Sequence, residues 1–110
     1  CAVVLRDMEI QDMTHDDIYQ VLAPKAFGGI HLHEATKDLD LSMFLLMGSM
    51  ASFMGNIGQS NYAAANTVLK SIAVLRQKQG LAAQYIDWGF FHQTGVVSRD
   101  KALLEKVKNF

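Results

Sequence analysis

Ser42-Met-Phe-Leu-Leu-Met47 is a nearly unbroken apolar run, and it restricts the possible folds more tightly than any other stretch of the chain. A strand wetted on one side alternates apolar with polar residues, whereas a strand covered on both faces is apolar throughout. The run therefore reads as a buried strand of a parallel sheet. Parallel neighbours need a crossover connection, usually a helix, and the following residues supply one. Gly48 to Gln59 is rich in Gly, Ser and Met and reads as a loop. Tyr62, Ala65, Asn66, Leu69, Ile72, Ala73 and Arg76 then form one stripe of a helix reaching about Gln79, with Gly80 as its stop. Ala82 to Trp88 reads as a second buried strand, Gly89 to Val97 as a loop, and Arg99 to Asn109 as a charged amphipathic helix.

Upstream of the run, residues 1–5 read as the end of a strand and Arg6 to Met13 as a loop with a short turn. Thr14 is a good N-cap, with Asp16 and Asp17 in a first turn favoured by the helix dipole and Ile18, Val21 and Leu22 on one face. Pro24 removes a backbone donor, so this helix either kinks there or ends near Leu22 and restarts with proline in its first turn. Lys25 lies beside that break. Beyond it Phe27, Ile30, His31 and Glu34 recur at helical spacing, and close backbone packing would account for Gly28 and Gly29. The order helix, strand, helix, strand, helix favours an α/β layer architecture. The opening Cys1-Ala-Val-Val-Leu5 has no initiator Met and resembles the middle of a hydrophobic segment, so a fragment is expected.

The 110 residues, 50% of them hydrophobic, suffice for one modest core. A formal net charge of -1 gives no electrostatic reason to expect nucleic acid or an anionic membrane as partner. Cys1 is the only cysteine, so no intrachain disulfide is possible and no zinc-site spacing exists. The apolar stretches fall short of the roughly 20 residues that span a bilayer, and the start lacks the basic residues of a signal peptide. A soluble, cytoplasmic chain is expected.

Ligands of open α/β sheets gather at the carboxyl ends of the strands, where both Ser49 and the loop after Trp88 would lie. Ser49 precedes Tyr62 by thirteen positions, and Tyr62 stands one helical turn before Asn66 in Asn61-Tyr-Ala-Ala-Ala-Asn66. A hydroxyl at a strand end and a phenol on the packed helix can aim two donors at one carbonyl oxygen. Ketone reduction needs hydride at carbon, a proton at oxygen, and hydrogen bonds that stabilise the developing alkoxide. Tyr62 suits the proton donor, and an ammonium such as Lys25 beside a phenol favours its ionisation. Ser49 would orient the carbonyl, while Asn66 would fix Lys25 or a water in the proton path. Each residue has a duller rival: Tyr62 as a core residue with a satisfied hydroxyl, Ser49 as a loop cap, Asn66 as a helix polar group, Lys25 as a solvated charge. The Met residues at 43, 47, 50 and 54 read as packing rather than metal ligands. His31 and His33 cannot share a helical face and read as surface residues, so no metal is assigned. Gly48-Ser-Met-Ala-Ser52 lacks the Gly-x-Ser-x-Gly elbow of a serine hydrolase.

Leu45-Leu-Met-Gly-Ser49, Gly58-Gln-Ser-Asn-Tyr-Ala-Ala-Ala-Asn66 and Asp87-Trp-Gly89 resemble the ketoreductase domain of modular and iterative polyketide synthases, within the short-chain dehydrogenase/reductase superfamily. The resemblance runs from about residue 4 to 97. Val21-Leu-Ala-Pro-Lys25 with the following glycines and His31-Leu-His33 looks like the family segment that carries the catalytic lysine. Single-domain members of the superfamily place that lysine four after the tyrosine, where this chain has Asn66, which points to the synthase type. The implied fold is the C-terminal half of a Rossmann-like doubly wound parallel sheet, so that 1–110 is a partial ketoreductase domain. The implied activity is NADPH-dependent reduction of a β-ketoacyl thioester, tethered to an acyl carrier protein, to the β-hydroxyacyl thioester, in company with the other synthase domains.

By that resemblance Lys25, Ser49, Tyr62 and Asn66 are the catalytic group, and Trp88, Gly89, Phe91 and Gly95 lie beside the nicotinamide. Family members often show Leu-Asp-Asp where this chain has Leu5-Arg6-Asp7, and Met54 stands where a Trp marks the opposite hydroxyl configuration. Product stereochemistry leans toward the Leu-Asp-Asp type. No Gly-x-Gly-x-x-Gly fingerprint precedes these motifs, so the segment alone is expected to bind NADPH poorly and to be inactive, and its exposed sheet edge and unpaired apolar face imply aggregation or marginal stability in isolation. Two rival readings are a non-catalytic reductase-like structural module and a free-standing short-chain reductase.

Overall fold

The computed structural model describes residues 2–89. Thr14 opens the first helix, α1 (His15–Leu22), through a reciprocal cap. The Thr14 hydroxyl accepts from the Asp17 amide at 3.2 Å, and the Asp17 carboxylate accepts from the Thr14 amide at 3.1 Å. Amides that a helix start leaves open are thereby satisfied. Pro24 falls in a widened π turn, Ala23–Phe27, and the chain continues as α2 (Gly28–Thr36). A helical path thus runs through the proline, the wider turn absorbing its missing donor. Lys25 lies on that turn and is buried.

Strand β1 (Leu45–Ser49) leads through a short helix α3 (Ala51–Met54) into the long helix α4 (Ser60–Lys78) and then strand β2 (Gln84–Trp88). The strands pair in parallel, Leu45 opposite Gln84 and Ser49 opposite Trp88. Gly80 ends the helical stretch with a φ of 73°, a conformation that favours glycine. Leu46, Leu69, Ile72 and Ala73 form the core, so α4 covers the face of β1 that Leu46 presents. Gly29 lets α2 approach α4: a Cβ there would stand 2.6 Å from Leu69 Cδ2 and 3.0 Å from Ile72 Cδ1. At Gly28 the nearest atom would be 3.7 Å away, so close packing explains only the second glycine.

Several boundaries differ from the sequence reading. The apolar run becomes strand only from Leu45 and extends through Gly48 and Ser49. Its burial alternates, Leu46 and Gly48 buried, Leu45 and Met47 half-buried, because among the described residues the α4 face is the closely packed one. Residues 2–5 form no strand. The following segment instead crosses the start of α4, where Met8 N donates to Gly58 O at 2.9 Å and Gln59 Nε2 to Asp7 Oδ2 at 2.8 Å. The stretch read as a loop after Gly48 contains α3. Ala82 and Ala83 precede β2 because their carbonyls accept from the Arg76 and Gln77 side chains, both at 3.0 Å.

His33 corrects the surface reading: it is buried, and its Nδ1 accepts from Arg76 Nη1 at 3.3 Å. Arg76 also lies 3.9 Å from the Phe44 ring centre, which buries the guanidinium without a carboxylate among the described residues. The loop beyond Gly89 and the helix expected over 99–109 lie outside the described residues.

Candidate active site

A helix that returns from the carboxyl end of one parallel strand begins at that same end of the layer. Ser49 is the last residue of β1 and Tyr62 lies in the first turn of α4, so hydroxyl and phenol belong to one end of the fold. Buried Asn61 pins that first turn, its Nδ2 donating to Arg6 O at 2.9 Å and its Oδ1 accepting from the Tyr62 amide at 2.7 Å. Ser49 Oγ accepts from the Ala51 amide at 3.3 Å. That bond leaves the hydroxyl proton available, so the capping role and a donor role are compatible.

Lys25 arrives from a different element. Its Nζ donates to Met47 O at 3.1 Å and stands 5.6 Å from the centre of the Tyr62 ring. The side chain is only 8% exposed, and burial holds its ammonium below the ordinary lysine range. Asn66 is fully buried; its Nδ2 donates to Tyr62 O at 2.8 Å, and its Oδ1 has no hydrogen-bond partner among the described residues. Of the two roles the sequence suggests for Asn66, fixing Lys25 or fixing a water, the first falls to the Met47 carbonyl, which holds Lys25. Leaving a buried carbonyl oxygen unmatched costs about 1–3 kcal/mol, so the place suits a further donor.

At the neighbouring strand end, the Trp88 carbonyl accepts from the Met50 amide at 2.9 Å and its Nε1 donates to Met47 Sδ at 3.0 Å. Trp88 is 42% exposed, and Gly89 is exposed beside it. Phe91 and Gly95 lie outside the described residues. The structure thus brings Lys25, Tyr62 and Asn66 together and sets Ser49 and Trp88 side by side on paired strands. Among the described residues the Lys25 ammonium has a single acceptor and Asn66 Oδ1 has no donor, so each retains capacity to bond a hydroxyl or water.

Ser52, Tyr85 and Asp87 meet at the same end through their side chains, a cluster that motif spacing does not single out. Its one trace in the sequence is Tyr85 and Asp87 two apart, on one face of a strand. Among the described residues no helix is long and apolar enough to cross a membrane.

A family model described as KR domain matches residues 1–93. The chain is 46% identical over 94 residues to polyketide synthase GfsA of Streptomyces halstedii, covering 86% of this chain and 1% of that protein. It is 41% identical over 101 residues to the highly reducing polyketide synthase calA of Penicillium decumbens, covering 92% of this chain and 4% of that one. Among solved structures, A-type ketoreductases from a modular polyketide synthase superpose with a TM-score of 0.91 at 33% identity, over 98% of this chain and 22% of theirs. The fold is Rossmann-like, and the chain spans only a small part of the proteins it matches.

Proposed function

Because this chain belongs to the KR domain family, the ketoreductases of polyketide synthases within the short-chain dehydrogenase/reductase superfamily, we propose that it carries the catalytic residues for NADPH-dependent reduction of a β-ketoacyl thioester held on an acyl carrier protein. The product is the β-hydroxyacyl thioester. A reduced nicotinamide, when bound, supplies the hydride that this chemistry requires at the carbonyl carbon. Lys25, Trp88 and Gly89 would hold it, with Phe91 and Gly95 beyond the described residues. Tyr62 passes its phenolic proton to the carbonyl oxygen as negative charge develops there, and the Ser49 hydroxyl donates to that oxygen. The Lys25 ammonium offsets the charge left on the phenol, and Asn66 Oδ1 accepts from a water that restores the proton. Lowering of the Lys25 pKa by burial brings the ammonium closer to a proton-relay role.

One observation carries this reading: a buried ammonium from a separate helical segment, held by a backbone carbonyl, stands 5.6 Å from the Tyr62 ring. A core tyrosine has no need of such a neighbour. The test incubates the full-length protein with NADPH and a β-ketoacyl thioester, carrier-bound or free. One β-hydroxyacyl product per NADPH consumed, formed faster on the carrier-bound substrate, is expected. NADPH binding without product would make this a non-catalytic module, and equal rates on both substrates would favour a free-standing reductase.

A further inference from the structure

Three side chains that the proposed chemistry leaves unused form a bracket around the Ser49 turn. Tyr85 and Asp87 stand two apart on β2 and share one face of the strand. Tyr85 Oη donates to Asp87 Oδ1 at 2.7 Å, and Ser52 Oγ donates to that same oxygen at 3.0 Å, with the two hydroxyl oxygens 3.3 Å apart. Hydrogen bonds to an ionised carboxylate are the strong kind, roughly twice a neutral one. Ser52 lies on α3, three residues after Ser49, so the cluster ties the end of β2 to the helix that follows Ser49.

Two further contacts tighten the bracket. The Met50 amide donates to Trp88 O at 2.9 Å, joining the same two segments through their backbones. The Tyr85 phenol lies directly over Gly48, where any Cβ would overlap its hydroxyl. Gly48 is therefore glycine to admit the phenol, and the phenol rests against the backbone that presents the Ser49 side chain.

We propose that Tyr85, held by Asp87 and Ser52, is a positioning residue that fixes the Ser49 hydroxyl toward the carbonyl oxygen; this rests on the reading of Ser49 as an active-site donor. Burial, together with the adjacent Asp87 carboxylate, holds the Tyr85 phenol above its ordinary pKa against the opposing bond from Ser52. It stays protonated and keeps donating to Asp87. The chain thus has two tyrosines at one end of the layer with separate tasks, Tyr62 for proton transfer and Tyr85 for geometry.

A double-substitution cycle in the full-length protein tests this, reading NADPH consumption on a soluble β-ketoacyl thioester. Tyr85→Phe keeps the ring and should lower kcat roughly tenfold with KM little changed, the signature of lost alignment. Asp87→Asn still offers an acceptor oxygen and should retain most activity, whereas Asp87→Ala should match Tyr85→Phe. On a Ser49→Ala background, Tyr85→Phe should cost nothing more, because no hydroxyl is left to aim. Multiplying losses in the double variant, or full kcat in Tyr85→Phe, would overturn the positioning role while leaving Ser49 in the site. Wild-type turnover in Ser49→Ala alone would remove Ser49 itself, and the bracket's purpose with it. Thermal unfolding accompanies each variant; should Tyr85→Phe fail to fold, Ser52→Ala replaces it in the same cycle with the same expected non-additivity.

Discussion

Lys25 is costly where it stands, a cost that the proposed proton transfer would put to use. Its ammonium is buried against a carbonyl and an aromatic face, and burial pulls its pKa below the ordinary lysine value of 10.5. In the window between the lowered folded pKa and 10.5 the unfolded chain binds more protons, so stability rises with pH there; below the window the folded state bears the full desolvation cost. Lys25→Met should therefore raise the unfolding temperature at neutral pH, with the advantage shrinking as pH climbs toward 10.5. Reductase activity should fall by about 10²-fold or more in the same variant. Thermal melts over a pH series check the first claim; a destabilised variant would contradict it. Lys25, Tyr62 and Asn66 are legible separately in the sequence, by a break, a stripe and a spacing. Their meeting is expected only through the family resemblance, since nothing in a local pattern shows that residue 25 is carried to the carbonyl of residue 47. His33 and Arg76 show the same limit: helical spacing places Arg76 on the buried stripe, but the Phe44 ring and the His33 ring that make its burial possible come from distant segments.

At the scale of elements, the two adjacent glycines of α2 separate two effects that sequence treats alike. Either Gly→Ala change raises helix propensity by roughly 1 kcal/mol. Gly28→Ala meets its nearest neighbour at 3.7 Å, an ordinary contact, and should be neutral or stabilising. Gly29→Ala would press a methyl to 2.6 Å from Leu69 Cδ2 and 3.0 Å from Ile72 Cδ1, so that these core side chains or α2 itself must shift, at a cost of about 1–3 kcal/mol for overpacking. Chemical denaturation of the pair measures the difference, and equal stabilities would refute the close approach. The capped α1, the long α4 stopped at Gly80, and two parallel strands are readable from the chain, whereas α3 reads as loop and residues 2–5 form no strand. Boundaries are less so, because Arg76 and Gln77 claim the carbonyls that would have begun β2, and the Arg6–Met8 segment spends its polar groups on the start of α4 instead of on a sheet.

Across the whole molecule, the proposed catalytic group is assembled from three sources: the π turn before α2, the carboxyl end of β1, and the first turns of α4. Each is held by backbone-directed bonds, Lys25 to Met47 O, Asn61 to Arg6 O, and Asn66 to Tyr62 O, so the site's geometry is fixed by the packing of the α/β layer. The chain belongs to the KR domain family and shares the Rossmann-like fold of its ketoreductase relatives. The central claim is that Tyr62 transfers the proton, and the most direct measurement compares NADPH affinity and turnover of Tyr62→Phe with the unaltered full-length protein. Removing one hydroxyl while keeping the ring over Lys25 should leave NADPH binding intact and lower kcat by at least about 10²-fold, more than Ser49→Ala does. Unchanged turnover in a variant that binds NADPH normally would take Tyr62 out of the mechanism.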